Sequence, residues 1–430
     1  MEKEIRTRAA LVGIIRSTKE AEECDRSLAE LARLVNTAGG EAVVTLVQVK
    51  EAFSPATCLG KGKVEELRDL CERHELTLCV FDFELSPSQI RNLEEGVGVR
   101  VIDRTMLILD IFALHAVTGE GKLQVELAQL RYTAPRLTGQ GQALSRLGGG
   151  IGTRGPGESK LETDRRHIHR RIVALEAAIR EMSDTRRTMR AARDRSGLPK
   201  VAIVGYTNAG KSTLLNYLTN AGVLSEDKLF ATLDPTTRRL TLPEGEDVLL
   251  TDTVGLIRRL PHHLVKAFRS TLDEASYADV LMIVADASDD ECEEHLGVTR
   301  TLLSELNAAD KPTLLVYNKC DRVAAFEGVF PVGDADTVFI SAKSGAGIDR
   351  LLSALLGRIR DGKRRIVFLF PYTAQSRLNA LLTVAPAESV DYRDDGVYVT
   401  AVVGRDIYGA FRDYAIPTGE GFCTDEGDDD

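Results

Sequence analysis

Nine residues constrain this chain more than any other stretch: Gly205-Tyr206-Thr207-Asn208-Ala209-Gly210-Lys211-Ser212-Thr213. They fit G-x-x-x-x-G-K-[S/T]. The apolar run Val201-Ala202-Ile203-Val204 before them reads as a strand, and Leu214-Leu215-Asn216-Tyr217-Leu218 after them as a helix start. A strand feeding a glycine-rich loop and then a helix implies a mostly parallel α/β sheet with a ligand at the carboxyl ends of its strands. The loop's backbone N–H groups would face a β-phosphate, helped by the dipole at the helix N-terminus. Lys211 would bridge the β- and γ-phosphates, and the Ser212 hydroxyl would ligate Mg²⁺. A structural glycine turn is the plain alternative, and the flanking elements argue against it.

The base is legible as well. Asn318-Lys319-Cys320-Asp321 follows the apolar strand Thr313-Leu314-Leu315-Val316-Tyr317. A carboxylate at Asp321 can accept from both N1–H and the 2-amino group of guanine, a donor pair that adenine lacks. Lys319 would lie along base and ribose. Ser341-Ala342-Lys343 closes a further strand, and its backbone can donate to the guanine O6. GTP and GDP are the expected ligands.

Two segments between these motifs carry the expected switch elements. Asp252-Thr253-Val254-Gly255 ends the strand Val248-Leu249-Leu250-Thr251. Asp252 would hold Mg²⁺ through a water, and the Gly255 N–H would meet the γ-phosphate. Phe230-Ala231-Thr232-Leu233-Asp234-Pro235-Thr236-Thr237-Arg238 supplies the loop that closes over the metal, with Thr232 as its Mg²⁺ ligand and Thr236 or Thr237 as second choices. Lys211, Thr232 and Gly255 form the expected catalytic set, acting by positioning and charge neutralisation. After Gly255, where many GTPases carry a water-orienting glutamine, this chain has Leu256. Leucine cannot orient water, so slow intrinsic hydrolysis is expected, accelerated by a partner. Arg258 and Arg259 read either as solvated arginines or as contacts to that partner.

At 430 residues the chain should hold three or four domains. There is no apolar run of about 18 residues, so no membrane span is expected, and Met1-Glu2-Lys3-Glu4-Ile5-Arg6 lacks the apolar core of a secretory signal. The seven cysteines show no C-x-x-C pair and read as reduced thiols of a cytoplasmic protein. Cys292 with His295, and His262 with His263, lack further ligands for a metal. The formal net charge of −10 hides a split: residues 131–200 carry 16 Lys/Arg against 7 Asp/Glu. A basic segment in an acidic chain points to a specific polyanion contact.

The expected fold class is α/β in four parts and a tail. Residues 1–115 alternate strand and helix, as a small parallel-sheet domain does. Residues 116–197 hold two helical stripes. One is Leu123, Leu127 and Leu130; the other is Leu161, Ile168, Ile172, Leu175, Ile179 and Met182. That heptad-like spacing predicts an antiparallel helical hairpin, or else two separate surface helices. Between the stripes, eight glycines fall within residues 139–157, with Arg146 and Arg154 among them. This stretch is either a flexible linker or a mobile basic finger whose backbone approaches RNA. Its Gly150-Ile151-Gly152-Thr153-Arg154-Gly155 fits G-x-G-x-x-G, but no strand precedes it, so a dinucleotide site is not expected. Residues 198–360 form the P-loop domain, 361–423 a small α+β domain, and 424–430 an acidic tail.

The chain resembles the HflX family of translation-factor-related GTPases over nearly its whole length. The resemblance rests on Asp103-Arg104-Thr105-Met106-Leu107-Ile108-Leu109-Asp110-Ile111-Phe112, on Leu123 to Leu130 leading to Pro135-Arg136-Leu137, on Gly148 to Arg166, and on Phe230 to Asp234 with Asp252 to Leu256. It implies binding to the large ribosomal subunit, with RNA reached by the basic hairpin and its glycine-rich loop. It also implies separation or rescue of stalled ribosomes under stress, and stimulation of hydrolysis by the ribosome. Off the ribosome the chain would be a monomer, in the cytoplasm or at ribosomes or membranes. In some GTPases of this class an asparagine at the Asn208 position helps bind K⁺; a loop-shaping hydrogen bond is the alternative. His115 departs from the family pattern, where an arginine is expected. A tRNA-modifying or ribosome-assembly GTPase is a rival reading, weakened by the lone Cys423. A non-enzymatic anchor is another, weakened by the full set Lys211, Ser212, Thr232 and Asp252.

Overall fold

The computed structural model describes residues 7–51, 53–139, 165–183, 198–219, 229–230, 235–259, 274–324, 336–360, 363–385 and 387–416. The chain divides into two compact units. The first joins Met1–Ser183 with Leu224–Pro235 and Thr253–Leu272; the second joins Asp184–Val223 with Thr236–Asp252 and Asp273–Asp430.

In the first unit, β1 (Arg8–Ile15), α1 (Ala21–Thr37), β2 (Glu41–Val49), α2 (Lys61–Arg73), β3 (Leu78–Phe81), α3 (Pro87–Val97) and β4 (Arg100–Asp103) alternate as the sequence predicts. The sheet order is β2-β1-β3-β4, with every pair parallel. β1 is buried along nearly its whole length, as a strand covered on both faces must be. Helix α1 turns Cys24, Leu28, Leu31 and Val35 inward, the i, i+4, i+7 spacing of one helical face. It packs close because a Cβ on Gly13 would lie 2.8 Å from the Cys24 sulfur. Helix α3 starts with a reciprocal cap: the Gln89 N–H donates to Ser86 Oγ, and the Ser86 N–H donates to Gln89 Oε1. Such a cap contributes about 1 kcal/mol.

Helix α4 (Arg104–His115) and α5 (Gly119–Thr133) follow, and then α6 over residues 165–183. Ile168, Ile172, Leu175, Ile179 and Met182 are the buried or half-buried positions of the expected α6 stripe; Leu161 lies outside the described residues. Arg171 is bonded at 2.7 Å to both Glu126 carboxylate oxygens, and Arg131 pairs with Glu176 at 2.7 Å. Gly119, at the start of α5, lies beside Met182, near the end of α6, as an antiparallel hairpin requires. The glycine-rich stretch between them and the acidic tail lie outside the described residues.

The second unit carries β5 (Lys200–Gly205), α7 (Lys211–Thr219), β6 (Thr236–Thr241), β7 (Asp247–Asp252), β8 (Val280–Asp286), α8 (Cys292–Glu305), β9 (Thr313–Asn318), β10 (Thr337–Phe339) and α9 (Ile348–Arg360). Its sheet runs β10-β9-β8-β5-β7-β6, parallel except for β6 on β7. Then come β11 (Lys363–Phe370), α10 (Gln375–Val384), β12 (Ala387–Arg393), β13 (Gly396–Gly404) and α11 (Arg405–Phe411), with an antiparallel sheet ordered β11-β13-β12. The fold class is α/β with a small antiparallel C-terminal region, as expected. No helix among the described residues is long and apolar enough to cross a membrane.

Candidate functional site

Strand β5 delivers the chain to Gly205 at its carboxyl end, and helix α7 begins at Lys211, so the nine-residue motif is the turn between them. Two of its glycines are required by space. A Cβ on Gly205 (φ +152°) would stand 2.2 Å from the Val284 carbonyl oxygen of β8, and one on Gly210 (φ +93°) 2.2 Å from Asn318 Nδ2. Asn208 takes a left-handed φ of +61°, which asparagine tolerates better than most residues. The Lys211 ammonium is held over the loop by the carbonyls of Gly205 (3.1 Å) and Tyr206 (2.8 Å). Burial lowers its pKa to about 8; Asp252 opposes that shift and Lys319 adds to it. A phosphate chain at this point would restore a firmly charged amine.

Ser212 Oγ donates to Asp252 Oδ2 at 2.6 Å. This places the two expected metal-corner residues of the second unit side by side, and their hard oxygens suit Mg²⁺. Thr236 and Thr237, the second choices for the metal, are strand residues instead. Thr236 pairs with Asp252 in the β6–β7 ladder, and the Thr237 hydroxyl is 2.9 Å from that of Thr251. Their place in an edge strand takes them out of the switch loop. Ala231, Thr232, Leu233 and Asp234 lie outside the described residues.

The base-reading residues are locked by hydrogen bonds that cross the motifs. Asn318 donates from Nδ2 to the Ala209 carbonyl and accepts at Oδ1 from the Ala342 N–H, both at 2.9 Å. One buried side chain thus ties the phosphate loop to the Ser341-Ala342-Lys343 segment. The Ala342 N–H is thus engaged by Asn318. Ser341 donates to Asp321 Oδ1 at 2.6 Å, fixing that carboxylate. Lys319, at a left-handed φ of +60°, pairs with Asp286 at 2.8 Å. Cys320 is buried and its thiol pushed up to about 11 by desolvation, so it stays protonated.

Sequence reasoning missed two supports. Asp286 ends β8 and accepts from the Ser288 N–H (3.0 Å) and hydroxyl (2.6 Å), so it is oriented to hold Lys319. His295 stacks on Tyr206 of the phosphate loop, with ring centroids 3.7 Å apart, and faces Asp289 at 3.5 Å. Nothing in the local pattern signals a stack between residues so far apart in the chain.

Phe230, Thr253, Val254 and Gly255 belong to the first unit, as do Leu256 and Arg259. Phe230 (φ +58°) packs edge-on against Phe112 at 4.7 Å, and the Leu229 N–H donates to Thr37 Oγ1 at 3.3 Å. Leu256 is buried. Arg104, 3% exposed, donates to Asp82 (2.7 Å), to Glu30 (3.0 Å) and to the Arg258 carbonyl (3.3 Å). Arg259 pairs with Asp82 and with Glu23, each at 3.0 Å. Arg259 is thus ion-paired within its own unit while its side chain stays half-exposed.

A G-x-x-x-x-G-K-S loop at the end of β5 and Asn318-Lys319-Cys320-Asp321 at the end of β9, on a six-stranded sheet, define a P-loop GTPase. Known proteins agree. Residues 25–113 match the family described as "GTP-binding GTPase N-terminal", 115–193 "GTP-binding GTPase Middle Region", and 200–319 "50S ribosome-binding GTPase". The chain is 49% identical to GTPase HflX of Lacrimispora saccharolytica over 96% of this chain and 97% of that one. It is 48% identical to GTPase HflX of Caldanaerobacter subterraneus subsp. tengcongensis, over 95% and 94% respectively. A GTP-binding protein from Sulfolobus solfataricus, solved with GDP, is 24% identical, with 82% of this chain and 98% of that chain covered and a TM-score of 0.43. The chain belongs to the HflX family of GTPases and is a GTP hydrolase.

Proposed function

We propose that this GTPase binds the large ribosomal subunit and uses its GTP cycle to split or rescue stalled ribosomes under stress. Slow intrinsic hydrolysis would be stimulated by the ribosome. The observation that carries the reading is Leu256: at the place of a water-orienting glutamine stands a buried side chain with no polar atom. The match of residues 200–319 to a family described as ribosome-binding names the candidate activator.

In this reading the loop from Gly205 to Thr213 wraps the phosphates, Lys211 neutralises the β- and γ-oxygens, and the Gly255 N–H meets the γ-phosphate. Ser212 and Thr232 would ligate Mg²⁺, with Asp252 behind a water; the metal supplies charge neutralisation between the phosphates. Asn208 would serve a K⁺ ion. Asp321 accepts from the guanine edge while Lys319 covers the base. Phe230 to Asp234 and Thr253 to Gly255 respond to the γ-phosphate. The division into residues 1–115, 116–197, 198–360 and 361–423 belongs to the same reading, as does a cytoplasmic monomer off the ribosome. The start of α6, with exposed Arg165, Arg166 and Arg170, would face ribosomal RNA.

Sedimentation with purified large subunits tests the partner. In a non-hydrolysable GTP analogue the protein is expected to pellet at low salt and to be released steeply as salt rises, because phosphate contacts dominate. Failure to pellet at any salt overturns the ribosomal partner.

A further inference from the structure

We propose that the Thr207 hydroxyl is a catalytic group that donates a hydrogen bond to a γ-phosphoryl oxygen of GTP during hydrolysis. The proposal rests on reading Gly205 to Thr213 as the phosphate loop and adds a role within it. Thr207 is 5% exposed, and its Oγ1 is buried without a hydrogen-bond partner among the described residues. Buried hydroxyls are nearly always bonded, and an exception calls for an explanation. The residue's position supplies one. Its backbone nitrogen is joined to the Tyr206 carbonyl, whose oxygen lies 2.8 Å from Lys211 Nζ. Thr207 is therefore the residue next to the carbonyl that holds the ammonium serving the β- and γ-phosphates. Asn208, the next residue, turns the chain through a left-handed φ of +61°.

Leu256 leaves the site without the usual polar side chain after the glycine. In hydrolysis a water oxygen bonds to the γ-phosphorus as the bond to the β–γ bridging oxygen breaks. The electron pair stays on GDP, and the water proton ends on inorganic phosphate. The equatorial oxygens are where a fixed donor stabilises the changing charge. Thr207 supplies such a donor from the loop itself. A donor used only with the γ-phosphate should also leave GDP affinity almost untouched.

Thr207→Val keeps the shape and removes the hydroxyl. Replacing an unpaired buried hydroxyl by a methyl group should leave the nucleotide-free melting temperature unchanged or raise it. GDP affinity is expected to stay within about 2-fold, while single-turnover GTP hydrolysis falls about 100-fold, the scale of one lost preorganised donor. Thr207→Ser should restore most of the rate. Wild-type turnover in Thr207→Val overturns the proposal, and so does a joint fall in melting temperature and GDP affinity, which would mark a loop-packing role. Should Thr207→Val not fold, Thr207→Ala against Thr207→Ser makes the same comparison. Lys211→Ala is the separate control: unchanged nucleotide binding there would sink the phosphate-loop reading itself.

Discussion

Arg104→Ala is expected to destabilise the first unit by about 3–5 kcal/mol, the cost of removing one member of a buried ion cluster. The Arg104 side chain is 3% exposed, and its partners Asp82 and Glu30 have side chains only 4% and 5% exposed. Without it, Asp82 and Glu30 are buried carboxylates short of a counter-charge, although Asp82 keeps the half-exposed Arg259 and the Ser27 hydroxyl. Amide hydrogen exchange in β1, β3 and α1 reads the effect, because a chain of two units has no single unfolding free energy. Protection there should fall by at least about 100-fold, at roughly 1.4 kcal/mol per decade. The triple variant Arg104→Met, Glu30→Gln, Asp82→Asn should recover most of the loss, since the penalty comes from unpaired charge. A loss below about 1 kcal/mol, the range of exposed pairs, would show the cluster to be dispensable. Because Arg104 also holds the Arg258 carbonyl, the same variant should loosen the segment that follows Gly255.

Asp321→Asn is expected to weaken GTP and GDP binding by about 100-fold and to favour xanthosine nucleotides. Two charge-assisted hydrogen bonds at roughly 1.5 kcal/mol each give about 3 kcal/mol, and 1.4 kcal/mol is tenfold. Asparagine presents one donor and one acceptor where guanine needs two acceptors. Xanthine, with a carbonyl in place of the amino group, complements it. The Ser341 hydroxyl that fixes Asp321 at 2.6 Å can equally donate to an asparagine oxygen, so the loop should hold. Competition binding with guanosine and xanthosine diphosphates reads the switch; undiminished guanine preference would remove Asp321 from the base site.

The elements legible in the sequence are those whose residues carry their own signal. The buried strands β1, β5, β8, β9 and β13, and the helices α1 and α6, announce themselves by apolar runs or stripes. The elements that escaped notice are short or polar. β4 has four residues. β6 (Thr-Thr-Arg-Arg-Leu-Thr) and β12 (Ala-Glu-Ser-Val-Asp-Tyr-Arg) are edge strands facing water on most positions, so the apolar alternation that marks a strand is missing. The same division holds in the site. Lys211, Ser212, Asp252 and Asp321 stand in contiguous motifs and could be named from spacing. The clamp of Asn318 on Ala209 and Ala342, the Tyr206–His295 stack and the Arg104 cluster depend on contacts across tens to hundreds of residues. No local pattern encodes them.

GTP turnover with and without purified large ribosomal subunits, using Lys211→Ala as the blank, tests the central claim most directly. The account predicts slow turnover alone, as Leu256 dictates, and strong stimulation by the subunit. Unchanged turnover, together with no co-sedimentation in the GTP-bound state, would contradict it and move the search to other activators.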